Sequence, residues 1–104
     1  MSNVYIINRG CHDYTKAEKY GTLIYLTEGY FRRFSTGKMY RAFLDGFENS
    51  QQSDYIVIGG LTIMATIACS VFATKHGRLN LLLYNNNRDV EDYVKRTIVL
   101  EDLQ

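Results

Sequence analysis

The chain has 104 residues, of which 46% are hydrophobic and 22% are charged, as is typical of one globular domain. Twelve Lys and Arg residues against eleven Asp and Glu residues give a net charge of +1, which argues against general nucleic-acid binding. The sequence contains no apolar run long enough for a membrane span and no signal-peptide pattern. We therefore expect a cytoplasmic protein without a membrane anchor.

The first half of the chain alternates short apolar runs with helical patterns. Strands are predicted over 3–8 and 22–27, where continuous apolar runs are bounded by polar residues and glycine. A short helix is predicted over 15–20, and Gly21 is well suited to end it. An amphipathic helix is predicted over 38–48, with its apolar side chains on one face.

The second half has the clearest pattern of the chain. A strand over 55–58 leads through two glycines into an apolar helix over 61–75, and a further strand follows over 79–84. Three asparagines at 85–87 are typical of a turn. A last strand is predicted over 94–100, antiparallel to a neighbour.

This order of elements predicts a single α/β domain over 1–104. We expect three layers, with a mainly parallel sheet of four to five strands, right-handed βαβ crossovers and a C-terminal antiparallel strand. The helix over 61–75 is apolar nearly all round, and such a helix needs cover on several sides. Either the sheet and another helix enclose it or a second subunit does, so we expect a homodimer or higher oligomer.

Open parallel sheets bind ligands at the carboxyl ends of their strands. The turn after the third strand is one candidate, because backbone N–H groups at a helix start bind anions. Its candidate residues are Gly59, Gly60, Leu61 and Thr62. Neither the P-loop nor the dinucleotide-binding pattern is present. A tight turn capped by Thr62 explains the same residues equally well.

The loop after the first strand is the second candidate, and it is the densest polar segment of the chain. Arg9 is suited to clamp a phosphate and Tyr14 to stack on a base. Sugar or base edges would bond to other side chains of this loop. The candidate ligand contacts here are Asn8, Arg9, Gly10, His12 and Tyr14. Asp13 is better explained as a cap of the helix that follows.

The sequence contains no strong catalytic signature. No nucleophile triad, paired-carboxylate site or metal-ligand spacing occurs, and Cys11 beside His12 does not make a dyad, because sequence neighbours usually point apart. We therefore predict no metal and no cofactor, and we favour a binding protein over an enzyme. If the protein is an enzyme, His12 is the candidate general acid–base.

A basic cluster is a further candidate surface. It consists of Arg32, Arg33, Lys38 and Arg41. A cluster of this kind either binds an acidic partner, such as a host protein, or forms a solvated face, and the solvated face is the commoner case.

Two stretches, 12–21 leading into 26–29, and 73–80, resemble small proteins encoded by tailed bacteriophages and prophages. The resemblance covers most of the chain and implies a role in host takeover or counter-defence. One class of such proteins forms oligomers that sequester nucleotide immune signals, such as cyclic ADP-ribose isomers or cyclic oligonucleotides. The resemblance assigns no functional residues.

Three functional hypotheses follow. The first is an oligomeric, non-catalytic protein that sequesters a nucleotide-derived signalling molecule. The second is a small metal-independent nucleotide hydrolase or phosphodiesterase that uses His12. The third is a protein–protein inhibitor of a host or defence protein.

Overall fold

The computed structural model describes residues 2–87 and 90–100. It contains five strands, two α-helices and one short 3-10 helix. In chain order these are β1 (Asn3–Ile6), the 3-10 helix (Thr15–Tyr20), β2 (Thr22–Tyr25), α1 (Thr36–Gly46), β3 (Tyr55–Val57), α2 (Thr62–His76), β4 (Arg78–Asn87) and β5 (Val90–Val99).

The strands form one mixed sheet in the order β2-β1-β3-β4-β5. β1 pairs in parallel with both β2 and β3, β3 pairs in parallel with β4, and β4 and β5 form an antiparallel hairpin. This confirms the α/β class. Three of the four pairings are parallel, but they are short, whereas the hairpin pairs ten residues on each strand. By length of ladder, the sheet is therefore less parallel than expected.

The two faces of the sheet are covered unequally. Alternation along β1 sends Tyr5 towards α1 and α2, and Val4 and Ile6 towards the opposite face. The helical side has a core rich in Phe and Met residues, while the other side is covered by the 3-10 helix and several tyrosine rings. A third layer is therefore only outlined, by six helical residues.

The hairpin differs most from the sequence prediction. The expected turn at 85–87 is wrong: these asparagines continue β4, and β5 begins at Val90 rather than at residue 94. Asparagine has a low strand propensity, but here a long antiparallel ladder compensates for it. The short helix over 15–20 keeps its predicted ends, and the remaining predicted elements shift by one or two residues at their ends.

The hairpin extends past the rest of the sheet. β3 last pairs with β4 at Val57 and Leu82, so residues 83–87 and 90–94 form an arm beyond the carboxyl edge. Five residues at a strand rise of about 3.4 Å make this arm roughly 17 Å long. The arm supplies a wall that the short parallel strands lack.

In the part of the chain that is described, the helices are too short or too polar to cross a membrane.

Candidate functional site

A cavity of about 290 Å³ opens at the carboxyl edge of the sheet. It lies where the chain leaves β1 towards β2 and leaves β3 towards β4, so the connections diverge on either side of it. Such a switch point is where open α/β sheets bind ligands. The lining residues are His12, Asp13, Tyr14, Val57, Ile58, Gly59, Gly60, Tyr84 and Tyr93.

Tyrosine rings form two walls of the cavity. Tyr84 and Tyr93 face each other across the hairpin arm, with their ring centroids 5.3 Å apart in an edge-on arrangement. Tyr93 is buried at 8% exposure, whereas Tyr84 keeps 49% of its surface open to solvent. Tyr14 also lines the cavity, and its ring centroid lies 6.3 Å from that of Tyr25 in an edge-on arrangement.

Burial raises the pKa of Tyr14 and of Tyr93 above the ordinary value of 10.0. For Tyr93, the neighbouring Tyr14, Tyr84 and Asp13 raise the pKa further. Both phenols are therefore protonated at neutral pH and can donate a hydrogen bond as well as offer a ring face.

Among the described residues that line the cavity, Asp13 supplies the carboxylate. Its Oδ1 accepts hydrogen bonds from the Thr15 backbone N–H at 2.9 Å and from the Thr15 hydroxyl. These bonds lower the pKa of Asp13, so it is an anion at neutral pH. They also fix the loop at the start of the 3-10 helix, as a capping residue would. An anchored carboxylate can accept hydrogen bonds from ligand hydroxyl or amino groups.

Gly59 and Gly60 form the floor next to the start of α2. A Cβ on Gly59 would meet no atom within 4 Å, so the space above this residue is open. Gly60 adopts φ +79°, a left-handed conformation that favours glycine. The turn thus lets a ligand approach the backbone closely.

The N-terminus of α2 carries no capping side chain. Leu61 occupies the N-cap position without a side-chain hydrogen bond, and the first turn contains no acidic residue. Thr62 is the first helical residue and not the cap. Its carbonyl accepts a hydrogen bond from the Thr66 hydroxyl. Because the first amides of a helix have no intrahelical partner, this end favours an anion.

Other candidate residues of the first loop lie outside the cavity and face β2. Asn8 donates from Nδ2 to the Gly29 carbonyl at 3.0 Å. The Arg9 guanidinium lies 4.0 Å from the centre of the Tyr25 ring, and its Nε is 3.6 Å from Glu28 Oε1. Gly10 is exposed and is not among the lining residues.

His12 borders the cavity and is exposed to solvent. Its ring centroid lies 6.2 Å from that of Tyr14. Within residues 2–87 and 90–100, no side chain is hydrogen-bonded to the imidazole to orient it. The same residues contain no group of three His, Cys, Asp or Glu side chains arranged to hold a metal ion.

Sequence reasoning left Tyr84 and Tyr93 out of the candidate site. Both lie in the arm; Tyr84 ends the predicted fourth strand, whereas Tyr93 falls before the predicted start of the last strand at residue 94. The missed signal was alternation: Tyr84 and Leu82 share one face of β4, and Tyr93 lies on the same face of β5.

A family model described as Phage Pam3 gp32-like protein matches residues 2–98. No curated protein and no solved structure matches the chain. The match confirms the likeness to bacteriophage proteins, and its description names no activity. It spans nearly all of the described fold, including both tyrosine walls of the cavity. The chain therefore belongs to the Phage Pam3 gp32-like protein family.

Proposed function

We propose that this bacteriophage protein binds a nucleotide-derived small molecule in the cavity at the carboxyl edge and holds it without catalysis. The observation that supports this most is a tyrosine-walled cavity at the switch point whose lining includes the Gly59-Gly60 turn, which leads into the uncapped N-terminus of α2. An aromatic wall suits a base, and helix amides suit a phosphate. In a phage protein, capture of a signalling nucleotide would serve counter-defence.

The cavity volume limits the ligand. Typical small-molecule sites range from about 300 to 1,000 Å³, and this cavity of about 290 Å³ lies at the lower end. One chain can thus enclose roughly one nucleotide unit, and a larger cyclic signal would extend past the open side of Tyr84.

Each part of the ligand has a proposed contact. The base stacks against Tyr84, whose ring is half exposed and backed by Tyr93. Sugar hydroxyls donate to Asp13. The phosphate accepts hydrogen bonds from amides of the turn formed by residues 59–62. Arg9 is not assigned a contact, because its guanidinium is engaged by Tyr25 and Glu28.

Native mass spectrometry tests this proposal with AMP, cyclic ADP-ribose and a cyclic dinucleotide as probes. We expect at least one probe to be retained with unchanged mass. Tyr84→Ala should weaken its binding by about tenfold or more, since stacking on an aromatic ring contributes about 1–3 kcal/mol. Tyr30→Ala is the control, because Tyr30 is exposed after β2 and lies outside the cavity. Retention of no probe, or equal losses in both variants, would contradict the proposal.

Hydrolysis is the second candidate function, because His12 borders the cavity. Chromatography of the recovered probe separates the two functions. Intact nucleotide after long incubation supports sequestration. A product that forms with the wild-type chain and not with His12→Ala assigns hydrolysis to this histidine.

A further inference from the structure

A second concave surface lies on the other side of the sheet, between α1 and α2. This helical groove has a volume of about 640 Å³ and shares no lining residue with the cavity at the carboxyl edge. Its floor includes Phe47 and Val71. On its α1 wall, Leu44 keeps 44% of its surface exposed although it belongs to the apolar side of the helix. Water thus contacts an apolar strip that is continuous with the core.

Apart from Lys75 near its C-terminal end, the α2 wall of the groove carries no charge. The sequence from Leu61 to Thr74 contains no Asp, Glu, Lys, Arg or His residue. Two hydroxyls that face outward are already used, because Thr66 and Ser70 donate to the carbonyls of Thr62 and Thr66 at 2.9 and 2.8 Å. A helix face of this kind suits contact with another protein surface better than contact with water.

The charges along α1 and the turn that follows it reverse in sign about Leu44. The Arg41 guanidinium lies beside Gly37 at one end of the groove, and Glu48 lines the other end. Arg41 lies within α1, and Glu48 comes seven positions later, in the turn that follows the helix. Among the described residues, neither side chain has an ion-pair partner.

Lys75 is the other charged residue that lines the groove, and its ammonium group is hydrogen-bonded within the chain. Its Nζ donates to the carbonyls of Phe47 and Glu48 at 2.8 and 2.7 Å, where it satisfies the end of α1. The acidic group at this end of the groove is the Glu48 carboxylate, which lies near the ammonium group of Lys75 and has no ion-pair partner among the described residues.

We propose that the helical groove is the docking surface for a second copy of this chain. A two-fold axis near Leu44 runs the two α1 helices antiparallel and sets Arg41 of each copy against Glu48 of the other. A two-fold interface must be self-complementary, and a sign reversal about its centre provides this. An unrelated partner would not require that symmetry. Both cavities at the carboxyl edge stay open in this dimer, since they lie outside the groove.

Sedimentation equilibrium of the full chain at micromolar concentration tests the proposal. We expect twice the chain mass of 12.0 kDa. Leu44→Glu should shift the protein to monomer, because it buries a carboxylate at the axis next to its symmetry mate. Ile98→Glu is the matched control, since Ile98 is also 44% exposed but lies on the edge strand β5, outside the groove. This control should stay dimeric.

A charge exchange tests the register. Arg41→Glu and Glu48→Arg should each weaken dimerisation by roughly tenfold, because two symmetry-related attractions become repulsions. The double variant should restore the wild-type dissociation constant. Far-UV circular dichroism checks that each variant is folded. A wild-type monomer, a dimeric Leu44→Glu variant, or a double variant no stronger than the single variants would overturn the proposal.

Discussion

Asn80 anchors the hairpin that forms one wall of the cavity. It is 4% exposed on β4, and its Nδ2 donates to the carbonyls of Gln52 and Asp54 at 2.8 and 2.9 Å. Its Oδ1 accepts from the Thr97 hydroxyl and from Arg78, both at 3.2 Å. One side chain thus ties the base of the hairpin to the segment that precedes β3.

Asn80→Ala removes these hydrogen bonds, so the part-buried Gln52 carbonyl and the buried Asp54 carbonyl lose this donor. A net loss of about 1 kcal/mol for each of the two shorter bonds, together with a small cavity, predicts a fall of about 3 kcal/mol in the free energy of unfolding. That is a large share of the ~5–15 kcal/mol typical of a domain.

Urea unfolding followed by circular dichroism measures this change. Asn86→Ala is the control, because Asn86 is exposed in the arm and its loss should cost less than about 0.5 kcal/mol. A loss below about 1 kcal/mol for Asn80→Ala would refute the assignment of an anchoring role to this side chain.

Two further predictions concern stability. Gly21→Ala should lower the free energy of unfolding by about 3 kcal/mol or more, because a Cβ there would lie 2.0 Å from the Ser2 carbonyl oxygen. Gly10→Ala is the control, since its Cβ would meet no atom within 4 Å and its effect in urea unfolding should be nearly neutral. Burial, with a smaller contribution from Lys75, lowers the pKa of His76 below 6.5. Because His76 binds a proton more readily in the unfolded chain than in the folded one, the free energy of unfolding is highest above pH 6.5 and falls as the pH drops below this value. His76→Gln should therefore flatten the fall in unfolding free energy between about pH 7.5 and 5.5.

Each of these two predictions can be contradicted by one unfolding measurement. A Gly21→Ala variant as stable as Gly10→Ala would show that the backbone near Ser2 yields without cost. A His76→Gln variant with the same pH slope as the wild type would show that other groups carry the dependence. His12→Gln serves as the matched histidine control for that slope.

The sequence predicts the parallel part of the fold well, because its signals are local. The apolar run of β3, the Gly59-Gly60 turn and the αL glycine Gly77 bound α2 to within one residue of the predicted helix. These boundaries depend on backbone conformation and short-range periodicity, which are readable in a single chain.

The hairpin arm could not be predicted in the same way. Its length depends on pairing between residues such as Asn85 and Asp92, whose low strand propensity predicts a turn where the ladder continues. Only the complete ladder makes this segment a strand.

The candidate site was likewise predicted only in part. The rule for carboxyl ends brings His12, Tyr14 and the two glycines to one cavity. This rule does not predict which side chains of a loop face the cavity. The Arg9 side chain instead contacts Tyr25 of β2 and Glu28, which follows β2. The second aromatic wall also needs Tyr93, which lies outside the sheet when the last strand is predicted to begin at residue 94.

The central claim is that the ligand occupies the space above Gly59. Isothermal titration with the nucleotide retained in native mass spectrometry tests it most directly, using Gly59→Val and Gly10→Val. Both glycines are exposed, and at both a Cβ meets no atom within 4 Å, but only Gly59 lines the cavity. We predict at least a tenfold loss of affinity for Gly59→Val and unchanged affinity for Gly10→Val. Unchanged affinity for Gly59→Val, or an equal loss in Gly10→Val, would contradict the assignment of this cavity as the binding site.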